Sequence, residues 1–106
     1  MKVLCIIPAR GGSKGVKKKN LLKIAKYSLV ERALFVAMGC SLINRIIVSS
    51  DSPEIIRLVN QYGDHAPFTR PSKLSTDEAG SLGVMQHALH WAENKDKLEY
   101  DYIVLL

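Results

Sequence analysis

From Arg10 to Lys19 the chain interleaves Gly11, Gly12 and Gly15 with the cations Arg10, Lys14, Lys17, Lys18 and Lys19. Glycine reaches backbone angles closed to other residues and lets the main chain approach a ligand closely. Successive N–H groups curled into a concavity bind phosphate oxygens. Arginine adds a planar fork of donors, and lysine a compact mobile charge. A triphosphate would satisfy all of these groups. The spacing is neither of the better known phosphate loops: Gly11-Gly12-Ser13-Lys14-Gly15 is not the dinucleotide pattern, and Val16 follows Gly15 where a Walker loop needs Lys and then Ser or Thr. On its own residues the stretch is as readily a solvated turn as a phosphate site.

The elements around the loop say where it must sit. Residues 2 to 8 form a near-continuous apolar run, as in a parallel strand covered on both faces. Ser28-Leu29-Val30-Glu31 is a capping box and predicts a helix over residues 29 to 40. Arg45 to Ser49 reads as a second buried strand. Asp51-Ser52-Pro53 then starts a helix whose inward stripe is Ile55, Leu58, Val59 and Tyr62, with Gly63 as its stop. A short extended piece at residues 66 to 69 enters the sheet region. A third helix begins at Gly80 with Leu82, Met85, Leu89 and Ala92 on one face, and residues 100 to 106 form a last strand. Alternating strands and helices predict a parallel sheet with right-handed crossovers, in spatial order 3-2-1-4. Ligands of such sheets bind outside the strand carboxyl ends at the switch point, where the basic loop leaves the first strand.

The other chemistry-bearing residues have plain readings. Asp51 is expected to cap the second helix in preference to touching a ligand. Pro71 biases Arg70 to an extended conformation on the strand-end rim. Ser81 falls in the first turn of the third helix and is expected to project toward its apolar stripe, and Asp77 and Glu78 precede that helix as candidate caps. His87 and His90 are expected to be solvated, on the face opposite the stripe and without a third metal ligand. Trp91 is a partly buried packing residue, and His65 sits in a loop. Cys5 and Cys40 form no metal-like pair and read as buried free thiols.

A length of 106 residues with 47% hydrophobic residues allows one compact core and argues against disorder or a repeat array. No run is long enough to span a bilayer, and the start lacks the pattern of a secretory signal, so a cytoplasmic location is expected. The net charge of +5 is unevenly placed: residues 1 to 30 hold eight Lys or Arg and no acid, while residues 31 to 106 hold seven against ten acids. The basic excess therefore belongs to the loop. Nucleic-acid binding is disfavoured, because the loop contains no aromatic residue on which bases could stack.

Pro8-Ala9-Arg10-Gly11-Gly12-Ser13-Lys14-Gly15, closed by Lys19-Asn20, resembles the signature of the acylneuraminate cytidylyltransferases. The likeness continues through Ile46-Ile47-Val48-Ser49-Ser50-Asp51 and through Arg70-Pro71-Ser72-Lys73-Leu74-Ser75-Thr76-Asp77. The resemblance implies an α/β, Rossmann-like nucleotidyltransferase fold with a mainly parallel sheet in three α/β/α layers, incomplete in this chain. Residues 1–106 would be the amino-terminal nucleotide-binding part of a single cytidylyltransferase domain. It implies transfer of CMP from CTP to the anomeric hydroxyl of a sialic-acid-like 2-keto sugar acid, with release of pyrophosphate. Magnesium would be the cofactor, its ligands lying outside this chain, and the full-length protein would be a homodimer. By motif position, Arg10, Ser13, Lys14 and Lys19 would hold phosphates, with Arg10 and Lys19 as the catalytic cations. Gly11 and Gly12 would shape the loop, Asn20 would contact the nucleotide, the backbone at Pro8 and Ala9 would face the base, and Arg70 and Ser81 would help recognise cytosine. Lys17, Lys26 and Lys73 depart from the family's usual proline, glycine and glutamate. The chain alone is expected to be inactive. A non-catalytic nucleotide-binding module stays open as an alternative, as does, more remotely, a basic nucleic-acid-binding module.

Overall fold

The structure is a computed structural model that describes residues 1–11, 19–76 and 80–106, with the backbone alone at Lys19. The apolar run at the amino terminus forms strand β1 (Val3–Pro8). A 3-10 turn (Lys19–Leu21) leads into a two-residue hairpin of β2 (Lys23–Ile24) and β3 (Tyr27–Ser28), followed by helix α1 (Leu29–Met38). Strand β4 (Arg45–Ser49) and helix α2 (Pro53–Asn60) come next. Another 3-10 turn (Ser72–Leu74), helix α3 (Ser81–Asp96) and strand β5 (Tyr102–Leu105) complete the chain.

β1 is central in a parallel sheet of order β4-β1-β5. Leu4 pairs with Arg45 and Pro8 with Ser49 on one side; Val3 pairs with Tyr102 and Ile6 with Leu105 on the other. Side chains alternate between faces along a strand, so β1 serves two cores. Cys5 and Ile7 join Val30, Leu34, Val48, Ile55 and Val59 under α1 and α2, while Leu4 and Ile6 join Ile47, Ala88 and Ala92 under α3. Each buried Val, Leu or Ile among them contributes about 1.5–3 kcal/mol. The result is three α/β/α layers.

The expected order 3-2-1-4 is realised with its outermost strand reduced to one parallel bridge, Ser50 to Thr69. Pro67 has no N–H to give a ladder. The neighbouring Ala66 spends both its backbone groups on Asn60, whose side chain accepts from the Ala66 N–H at 2.8 Å and donates to its carbonyl at 3.0 Å.

The capping box forms as read. The Ser28 hydroxyl accepts from the Glu31 N–H at 3.3 Å, and Glu31 Oε1 accepts from the Ser28 N–H at 3.0 Å. α1 is shorter than expected, ending at Met38 with Gly39 as its cap. Cys40 therefore lies in the following turn and is exposed, contrary to expectation, whereas Cys5 is buried. α3 keeps most of its expected inward stripe, with Ala92 in the core and Met85 and Leu89 packed against it, but not Leu82. Val84, Ala88 and Ala92 are buried, because small side chains let the helix lie close on the sheet, while Leu82 is 63% exposed. His87 is also turned partly inward.

β5 is exposed along its length, and an apolar groove of about 450 Å³ runs between it and α1, bordered by Val36, Cys40, Leu42, Tyr102 and Val104. Among the described residues, no helix is long and apolar enough to cross a membrane.

Candidate functional site

The carboxyl ends of β1 and β4 meet at a hub made by Ser49, Ser50, Asp51 and Ser52. The Ser49 carbonyl accepts from the Ala9 N–H at 2.9 Å and from Arg70 Nη2 at 2.6 Å, and the Ser49 hydroxyl accepts from Arg70 Nε at 3.0 Å. The Ser50 carbonyl accepts from the Arg70 N–H at 2.7 Å. Arg70 Nη1 reaches past the 3-10 turn to the Leu74 carbonyl at 3.2 Å. Arg70 is thereby buried to 4% exposure, locking its own loop to the end of β4. Burial pushes its guanidinium below the ordinary value, Asp51 works against that shift, and Arg10 adds to it. These three charges therefore share one neighbourhood.

The loop begins here. Ala9 is buried and Pro8 half-buried at the end of β1. Gly11 donates its N–H to Asp51 Oδ1 at 2.8 Å, and the Asn20 side-chain amide donates to the Arg10 carbonyl at 3.1 Å, so the two ends of the basic stretch are tied across the rim. Gly11 also passes so close to α2 that a Cβ there would stand 2.9 Å from the Ser52 Cβ. Thus Pro8, Ala9, Arg10, Gly11, Asn20 and Arg70 are brought to one place. Gly12, Ser13 and Lys14 lie outside the described residues, as do Asp77 and Glu78, and of Lys19 the backbone alone is described, at the start of the first 3-10 turn. Ser81 opens α3 after Gly80 and is exposed, so its side chain does not project into the apolar stripe as expected.

Two residues behave differently from their sequence reading. Asp51 does not cap α2: the cap is Ser52, whose hydroxyl accepts from the Ile55 N–H at 3.3 Å. The run Ser49-Ser50-Asp51-Ser52 carries more side-chain acceptors than one helix start needs, and that surplus was the available signal. His87 is not solvated. Its ring meets Phe68 edge-on at 4.7 Å and its Nδ1 is buried without a partner among the described residues. Burial, then the charges of Arg70 and His90, lower its pKa. Trp91 is half-buried, with the Arg45 guanidinium 5.2 Å above its ring.

Among the described residues no three His, Cys, Asp or Glu side chains converge as metal ligands, and the one carboxylate at the rim, Asp51, accepts a backbone N–H.

Comparison with known proteins agrees with this fold. The cytidylyltransferase family model matches residues 4–99. The chain is 38% identical over 106 residues to the pseudaminic acid cytidylyltransferase of Campylobacter jejuni, covering all of this chain and 45% of that relative. It is 37% identical over 89 residues to the N-acylneuraminate cytidylyltransferase of Escherichia coli, covering 83% of this chain and 21% of the relative. In fold it is similar to CMP:2-keto-3-deoxy-manno-octonic acid synthetase, solved in complex with CTP, with a TM-score of 0.76, 24% identity, and coverage of 99% of this chain and 40% of the other. The chain thus spans under half the length of these relatives, and its sheet is the open, mainly parallel sheet of a Rossmann-like nucleotidyltransferase. With the family match running from the first strand to the end of the last helix, the chain belongs to the cytidylyltransferase family.

Proposed function

We propose that this chain is the CTP-binding portion of an enzyme that activates a nonulosonic, sialic-acid-like 2-keto sugar acid as its CMP derivative. The observation that carries the reading is the meeting of Arg10, Gly11, Asn20 and Arg70 at the carboxyl ends of β1 and β4, where open α/β sheets bind nucleotides. In the reaction the anomeric hydroxyl attacks the α-phosphorus, the bond to the β-phosphate breaks and pyrophosphate leaves. Positioning and neutralisation of charge on the leaving group are the main demands. Arg10 and Lys19, with Ser13 and Lys14, meet the phosphates; Gly11 and Gly12 let the chain approach them. Asn20 meets the nucleotide, the backbone at Pro8 and Ala9 faces the base, and Arg70 and Ser81 favour cytosine. Magnesium is expected to be held by carboxylates outside residues 1–106, so this chain binds CTP and does not turn it over. A cytoplasmic setting, where thiols stay reduced, suits Cys5, whose buried thiol is pushed up to about 11 and is inert. A homodimer is expected of the full-length protein.

The test is calorimetric titration of the chain with CTP, UTP and a single-stranded oligonucleotide. CTP is expected to bind most tightly, and Arg10→Ala and Lys19→Ala each to weaken it about tenfold or more, as loss of a charge-assisted contact does, with Lys17→Ala and Lys18→Ala nearly silent. Ser81→Ala is expected to lower the preference for CTP over UTP. Equal small losses at all four cations, or tighter binding of the oligonucleotide, would overturn the reading.

A further inference from the structure

An acid at the mouth of a site for a polyanion works against binding, so Asp51 needs a reason to be there. Helix capping is not that reason, because Ser52 caps α2. Its Oδ1 instead accepts the N–H of Gly11, 40 residues away in sequence. At the same point the loop passes close to α2, where a Cβ at Gly11 would stand 2.9 Å from the Ser52 Cβ. Asn20 secures the far end through the Arg10 carbonyl.

We propose that Asp51 is a positioning residue for the basic loop: by holding the Gly11 N–H it fixes the point at which the loop leaves β1, and hence where Arg10 is presented to a bound phosphate. Its charge is also felt at Arg70, where it offsets the opposing influence of Arg10. Pinning the first peptide of the loop means that a ligand does not have to order it, and preorganisation of this kind is felt as affinity. The ligand in this argument rests on the CTP reading above; the anchor itself does not.

Two substitutions separate acceptor from charge. Asp51→Asn retains a carbonyl oxygen for the Gly11 N–H and loses the charge, whereas Asp51→Ala loses both. The Gly11 amide resonance is followed in 15N-labelled protein, alongside CTP affinity measured calorimetrically on samples whose spectra remain dispersed. In Asp51→Ala the Gly11 resonance is expected to move far more than those of β1 residues, and CTP to bind about tenfold more weakly. In Asp51→Asn the resonance is expected to stay near its wild-type position and affinity within about threefold. A merely structural acid would leave the affinity of the folded protein unchanged, and that result overturns the proposal. So does a Gly11 resonance indifferent to Asp51→Ala. Should the wild-type chain bind no CTP, the functional reading fails while the Gly11 resonance still decides the anchor.

Discussion

The two flanks of β1 are built in opposite ways. On the β4 side every strand end is tied: Ser49 and Ser50 are fully buried, Arg70 closes over them, Asn60 clamps Ala66, and Phe68 with His87 seals the α3 layer. On the β5 side the strand pairs with β1 and otherwise stands open beside an apolar groove. All the site residues that the structure brings together belong to the first flank or to β1. The difference teaches that a parallel strand supplies a ligand rim when its carboxyl end is held by side chains from beyond the sheet. β5 joins β1 through backbone pairing.

The same truncation on each side should show the contrast most strongly. Ile47→Ala in β4, where the side chain is fully buried, is expected to cost about 2–5 kcal/mol. Ile103→Ala in β5, 38% exposed, should cost below about 1 kcal/mol. Urea unfolding of both variants checks this, and equal losses would mean that β5 is as well packed as β4.

A smaller effect is expected from Glu31, a buried acid that links the start of α1 to the end of α2. It accepts from the Ser28 N–H and hydroxyl, and from the Tyr62 hydroxyl at 2.5 Å. Burial raises its pKa, but the bonds from Tyr62 and Ser28 and the charge of Lys23 outweigh that, so the net shift is downward. A depressed carboxylate stabilises the fold above its unfolded value and loses that contribution as pH falls through the folded one. Glu31→Gln should therefore destabilise by about 1–3 kcal/mol near neutrality and by less in acid. A deficit that did not shrink in acid would show that shape, not charge, was lost.

The smallest change belongs to His87. Its lowered pKa means that the fold prefers the neutral ring, so stability is present above the ordinary imidazole value of 6.5 and declines as pH falls below it. His87→Phe keeps the contact with Phe68 and removes the proton. It should leave stability at neutral pH within about 1 kcal/mol and flatten the decline below 6.5. Thermal melts across that range would detect it, and an unaltered slope would remove His87 from the sealed flank's charge balance.

Much of this was legible in residue order. The unbroken apolar run before Pro8 announced a strand covered on both faces, the Ser28 and Glu31 pair announced the start of α1, and alternation of strands and helices led to the sheet order. The loop's place at the strand ends followed from that order. What could not be read was which of several equivalent side chains takes a given role. Asp51 and Ser52 are both good caps, and the choice between them was made by Gly11, distant in sequence. The exposure of Leu82 was equally hidden: the expected Met85, Leu89 and Ala92 do meet the core, but close packing on the sheet buries the small Val84 and Ala88 and leaves Leu82 outside. Pro67 was in plain view, and its missing N–H could have warned that residues 66 to 69 would make a bridge and not a strand. The hairpin of β2 and β3 was missed because two-residue strands leave no periodicity to count, and its turn runs through Ala25 at a φ of 59°, a conformation that alanine does not advertise.

The clamp of Asn60 on Ala66 has a consequence for how copies of the chain can meet. Sheets extend by lending unpaired N–H and C=O groups to another strand. At the Ala66 margin those groups are already occupied, and Pro67 beside it has no hydrogen to lend. Growth by strand addition is thus refused at that margin.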